Sequence, residues 1–255
     1  MTGSICADWE SAVKRATGPD RCRHGGFTLV EMAVVLLVAG LLLGMALGPL
    51  TAQLEARRHA ETRAALAQAQ EALTGYLLIN KRLPCPADPA LADTQGAAGL
   101  EDGGRDALGQ CARLEGALPW LELGVPQLDG WGRRFTYRLS PAFSRQSGAL
   151  ACGSAAHAQP CFALTSAGVL TVRRVAGANL ATSLPAVLLS HGANGAGAWQ
   201  ADGSQLPGAQ GDELENADGD TLFVGRNADE GFDDLVVWLA TPPLMSRLVS
   251  SGALP

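Results

Sequence analysis

Residues 32–54 carry no charged side chain, and the stretch MAVVLLVAGLLLGMALGPLTAQL is long enough, as a helix, to cross the ~30 Å hydrocarbon layer of a bilayer. No later segment approaches that length. The expected molecule is therefore anchored once, near its N-terminus, with its bulk on one side of a membrane. Of 255 residues 47% are hydrophobic, enough for one ordinary globular core besides the span. The flank before the span holds Lys14, Arg15, Arg21, Arg23 and His24 against Asp8, Glu10 and Asp20, which predicts a cytoplasmic N-terminus. Without residues 1–26, the 19 basic and 25 acidic residues fall to 15 and 22. No nucleic-acid partner is expected of so acidic an exported part, because phosphate neutralisation needs the opposite charge balance.

A secretory signal places small residues after its apolar run. Here Gly25 and Gly26 come before it, directly after Arg23 and His24, and are followed by FTLVE. A basic leader, Gly at the junction, Phe next and Glu at the fifth position after it resemble the prepilin family. The resemblance implies that a membrane-embedded prepilin peptidase cuts between Gly26 and Phe27 and methylates the new amine of Phe27, leaving the apolar helix in place. Gly25-Gly26 suits this, since glycine offers an unhindered extended backbone, whereas TLVEMAVVLL is a helix former. A carboxylate at the start of an apolar span is costly unless it finds a partner. By the resemblance Glu31 meets the N-terminal amine of a neighbouring subunit during assembly; on the residues alone it could also snorkel at the headgroup boundary or complement the helix N-terminus.

The expected division is a leader at 1–26, a hydrophobic membrane and filament-core helix at 27–54, an amphipathic helix half at 55–80 and an exported β-rich domain at 81–255. The implied location is an inner membrane, with the C-terminal domain periplasmic and a filament after assembly. Implied partners are other pilin or pseudopilin subunits, an inner-membrane assembly platform and lipid. Alternatives at this level are a filament-displayed adhesin or ligand-binding module and, more remotely, a membrane-anchored hydrolase.

Pro49 is expected to kink the long helix. Beyond it an apolar stripe of Leu54, Ala65, Leu66, Ala69, Leu73, Tyr76 and Leu77 predicts a helix ending near Asn80. Strands are expected at 133–140, 161–165, 169–175, 186–190, 221–224 and 234–240, with a hairpin around Ser166-Ala167-Gly168. Helix first and strands afterwards give an α+β class, a pilin-like long helix packed on an antiparallel sheet. Cys85, Cys111, Cys152 and Cys161 follow the span, on the side expected to be oxidising. Three connectivities exist. Pairs Cys85 with Cys111 and Cys152 with Cys161 are favoured because each closes a short loop, against one bond and two buried thiols.

Three further groups carry chemistry. Asp129, Gly130, Trp131 and Gly132 resemble the Asp-Pro-Trp-Gly turn of major pseudopilins of type II secretion, with Gly130 in place of proline; otherwise they read as a tight turn whose Trp131 caps a core. The acidic run at 211–234 offers Asp212, Glu213, Glu215, Asn216, Asp218, Asp220, Asp229, Asp233 and Asp234 as hard oxygen ligands, for which calcium is the natural ion. Its spacing is not that of an EF-hand, and a solvated acidic loop is the plain alternative. A hydrolase reading would use Ser190 or Ser154 with His191 and Asp234, whereas His191 also reads as a turn residue before GANGAG.

Overall fold

In the computed structural model, residues 28–146, 161–174 and 177–254 are described, without the side chains of 43 and 45–50. The chain divides into two units, Met1–Leu50 and Thr51–Pro255. In the first, helix α1 (Leu29–Asn80) begins after Thr28, whose Oγ1 accepts a hydrogen bond from the Glu31 amide at 3.2 Å. Leu29, Val30, Met32, Val34 to Val38, Leu41 and Leu42 are all exposed on it. A helix apolar on every side needs a hydrophobic surrounding. Among the described residues no helix is long and apolar enough to cross a membrane. The 32–54 segment expected to do so includes positions 43 and 45–50, so both that expectation and the kink at Pro49 rest on side chains outside the described residues.

In the second unit α1 turns Ala65, Leu66, Ala69, Leu73 and Leu77 inward, the three- and four-residue spacing of one helix face. Two members of the expected stripe differ. Leu54 is 47% exposed, while the neighbouring Glu55 is the side chain that meets the domain, and Tyr76 is half-buried with its hydroxyl donated to Glu101 at 2.8 Å.

The stripe packs on a four-stranded antiparallel sheet in the order β1 (Glu115–Ala117), β2 (Thr136–Leu139), β5 (Ala186–Ser190), β7 (Leu235–Leu239). A smaller sheet covers the other face, with β3 (Leu170–Arg173) between β4 (Asn179–Leu184) and β6 (Leu222–Val224). Side-chain alternation sorts the layers. Ala186 and Leu188 of β5, with Leu235, Val237 and Leu239 of β7, join the helix-side core, whereas Val187, Leu189, Val236 and Trp238 join the core between the sheets. A C-terminal helix α4 (Thr241–Ser250) adds Leu244, Met245 and Leu248 to the first core and ties to α1 through Arg247 and Glu71 at 2.8 Å. Two short helices, α2 (Trp120–Leu123) and α3 (Gly211–Glu215), lie in the connections.

Three expectations need correction. Residues 161–165 form a turn, not a strand: Ser166 donates its amide to the Ala163 carbonyl and accepts from the Ala163 amide, while Phe162 is buried against Phe143. The hairpin around Ser166-Ala167-Gly168 is therefore absent, and β3 pairs instead with β4. Nor is all pairing antiparallel, since β3 and β6 run parallel. The disulfide Cys85–Cys111 is present, with a Cα–Cα distance of 5.5 Å, and it fastens the exit of α1 to the segment entering β1. Cys161 is also a disulfide cysteine, and Cys152, its expected partner, lies outside the described residues.

Candidate functional site

Gly26 and Phe27 lie outside the described residues. Glu31 sits exposed in the first turn of α1, where an acidic side chain complements the unpaired amides of a helix start.

The Asp129-Gly130-Trp131-Gly132 turn sits on α1. Asp129 Oδ1 accepts from the amides of Trp131 and Arg133, and its Oδ2 accepts from Ser190 Oγ at 2.6 Å. The turn thus formed presents the Gly130 amide to Thr62 Oγ1 at 2.9 Å and the indole N–H of Trp131 to Glu55 at 3.2 Å. The Trp131 ring also meets His59 edge-on, with centroids 4.8 Å apart. A Cβ at Gly130 would lie 2.5 Å from the Arg58 carbonyl oxygen and 2.8 Å from its Cα. The turn is thus a dock for α1, and glycine is what lets the helix come this close.

The acidic run does not gather as expected. Asp212 pairs with Arg226 at 2.8 Å, Asp229 pairs with the same guanidinium, and Glu215 pairs with Arg173 at 3.2 Å. Asp218 and Asp220 accept from nearby backbone amides, of Asp220 and Leu222 respectively, shaping their own turn. Only Asp233 and Asp234, with Glu213 from α3, converge: one ligand atom from each lies within 4.8 Å of the others. Glu213 Oε1 accepts from Asn194 at 2.7 Å and Asp234 Oδ2 from Asn216 at 2.8 Å, while Asp233 Oδ1 and Asp234 Oδ1 are buried without a hydrogen-bond partner. Burial, and then the nearby Glu213 and Asp233, push the Asp234 carboxyl up to about 8. Asn194 was missed in the sequence; its position in the glycine-rich turn after His191 was the available signal.

The residues of the hydrolase reading do not form one constellation. Ser190 Oγ donates to Asp129, His191 Nε2 lies 3.0 Å from Thr136 Oγ1, and Asp234 accepts from Asn216. Burial lowers the His191 imidazole to about 4. Ser154 lies outside the described residues.

Residues 21–47 match the family described as the prokaryotic N-terminal methylation motif. The match supports a type IV pilin-like, prepilin-type chain, and with it a precursor cut by prepilin peptidase and a pilin or pseudopilin role in general terms. No curated protein and no solved structure matches the chain.

Proposed function

We propose that the chain is a structural subunit, a minor pilin or pseudopilin, of a type IV pilus or type II secretion filament. In this reading it is cut after Gly26, methylated at Phe27 and held first in the inner membrane and then in the filament by the start of α1. The single observation that carries the reading is the methylation-motif match over residues 21–47. The exposure of the apolar side chains that α1 carries within those residues supports it. Glu31, in the first turn, is the group to receive the Phe27 amine of a neighbouring copy. Glu31→Ala leaves the processed form abundant on immunoblots but reduces incorporation into sheared filaments roughly tenfold or more, since losing one partner of a desolvated charge pair costs about 2–5 kcal/mol. Wild-type incorporation of the variant would remove Glu31 from assembly.

The Glu213, Asp233 and Asp234 carboxylates are the proposed calcium ligands, supported by the two buried oxygens that lack a partner. Without calcium, the raised Asp234 binds a proton more tightly folded than unfolded, so stability falls as pH rises from about 4 to about 8. The depressed His191 works in the opposite sense, losing stability as pH falls from 6.5 towards about 4. Between pH 6.5 and 8 only the Asp234 effect is expected, at up to about 1.4 kcal/mol per pH unit. Thermal melts of the full chain in detergent over that window decline with pH in chelator and recover with calcium; Asp234→Asn flattens the decline and abolishes the recovery. A wild-type melt insensitive to calcium would eliminate the ion from the proposal.

A further inference from the structure

Strand β7 closes the larger sheet on one side only. It pairs with β5 through five residues, and among the described residues no strand pairs with its other edge. One acceptor on that edge, the Trp238 carbonyl, is taken by the Gln70 side chain at 2.9 Å. An unpaired edge is a template for another strand, which proteins ordinarily blunt or cover. Here it opens into a groove of about 940 Å³, walled by His59, Arg63 and Leu66 of α1 on one side and by Arg174 and Leu180 of the smaller sheet on the other. Side chains of β7 pack into the cores on both sides of it. The groove is therefore an open slot between two layers, with β7 along its floor and leucine, histidine and arginine side chains on its walls.

Its charge is specific. Arg226, at the end of the groove, is committed to Asp212 and Asp229. Arg63 and Arg174 are exposed and make no ion pair among the described residues, although the protein is acidic as a whole. His59 Nδ1 is buried without a hydrogen-bond partner. Asp233 and Asp234 also line the groove, but each of their oxygens is buried or already hydrogen-bonded. The exposed charges on the two walls, those of Arg63 and Arg174, are thus cationic.

We infer that the groove receives an extended acidic segment of a partner protein, added as a strand to the open edge of β7 with its carboxylates at Arg63 and Arg174. Main-chain hydrogen bonds to β7 supply pairing, apolar side chains on the added strand meet the slot's walls, and the two guanidiniums select for acid. The inference concerns the Thr51–Pro255 unit and does not depend on the filament reading.

The test uses the full chain in detergent, titrated with a capped peptide alternating valine and glutamate. Two analogues accompany it, one with lysine for glutamate and one with a central proline. The glutamate peptide is expected to bind saturably and to slow hydrogen exchange across residues 235–239. Proline, which cannot donate to a ladder, weakens it at least tenfold, and the lysine analogue does not bind. Because Arg63 and Arg174 are exposed, Arg63→Glu with Arg174→Glu leaves the fold intact and reverses the preference towards lysine. No saturable binding of the glutamate peptide, binding unchanged by proline, or a preference unchanged by charge reversal would each overturn the inference. None of these outcomes bears on Glu31 or on filament incorporation, so the two proposals fail separately.

Discussion

Arg134→Ala lowers the stability of the Thr51–Pro255 unit by about 3–5 kcal/mol, the range for stripping one partner from a buried charged network. The guanidinium is 1% exposed. Its Nη1 donates to the carbonyls of Pro89 and Leu91 at 2.8 and 2.7 Å, and its Nη2 donates to Asp93 at 2.5 Å and to the Ala201 carbonyl at 2.9 Å. It also lies 4.9 Å from the centroid of the Trp120 ring. Truncation orphans the carbonyls of Pro89 and Leu91, leaves the Ala201 carbonyl with the Asp93 amide alone, and opens a void beside Trp120. In a domain of this size the expected fall in Tm is on the order of 10 °C. Arg134→Lys recovers little, because one ammonium cannot span the planar fork of acceptors that the guanidinium serves. A calorimetric Tm for Arg134→Ala within about 2 °C of wild type would show that the loops hold themselves and that Arg134 only fills space.

Gly130→Ala is the second large effect, expected at about 2–4 kcal/mol. The added methyl group meets backbone of α1, not the movable end of a side chain, so relief requires the turn and helix to separate. Separation breaks the Gly130 amide bond to Thr62 and the Trp131 bond to Glu55 together. The two losses share one cause, so Gly130→Ala combined with Thr62→Val should cost clearly less than the sum of the single variants in a double-mutant cycle. Strict additivity would mean that the methyl group is accommodated without moving the helix.

The parts of the molecule legible in the sequence are those specified by short contiguous patterns. The methylation motif matched over residues 21–47 is a linear pattern, and the inward stripe from Ala65 to Leu77 follows from helical spacing. Strands β5, β6 and β7 are runs of apolar or β-branched residues, and the Cys85–Cys111 bridge closes a loop already marked by prolines. Illegible parts depend on partners distant in the chain. Strand β4 is mostly exposed and polar, so NLATSL gives little alternation to read. Strand β1 has three residues and owes its pairing to β2. The apolar Phe162 suggested a strand, yet a turn suffices to place it in the core. At the carboxylate cluster, three of the expected acids were retained and five are diverted to arginines or to their own backbone. That sorting is set by where Arg173 and Arg226 emerge from β3 and β6, which composition cannot reveal.

The strand order β1-β2-β5-β7, with α4 completing the helix-side core, has a consequence for biogenesis. Leu239, Leu244, Met245 and Leu248 are made long after the stripe on α1 that they help to cover. During synthesis all of α1 is complete while its stripe from Ala65 to Leu77 still waits for its last wall. Closure of the domain is thus a late event, governed by contacts of high sequence separation and paced by arrival of the final strand and helix. Ribosome-stalled chains ending before β7 should remain protease-sensitive even when their N-terminal processing is complete.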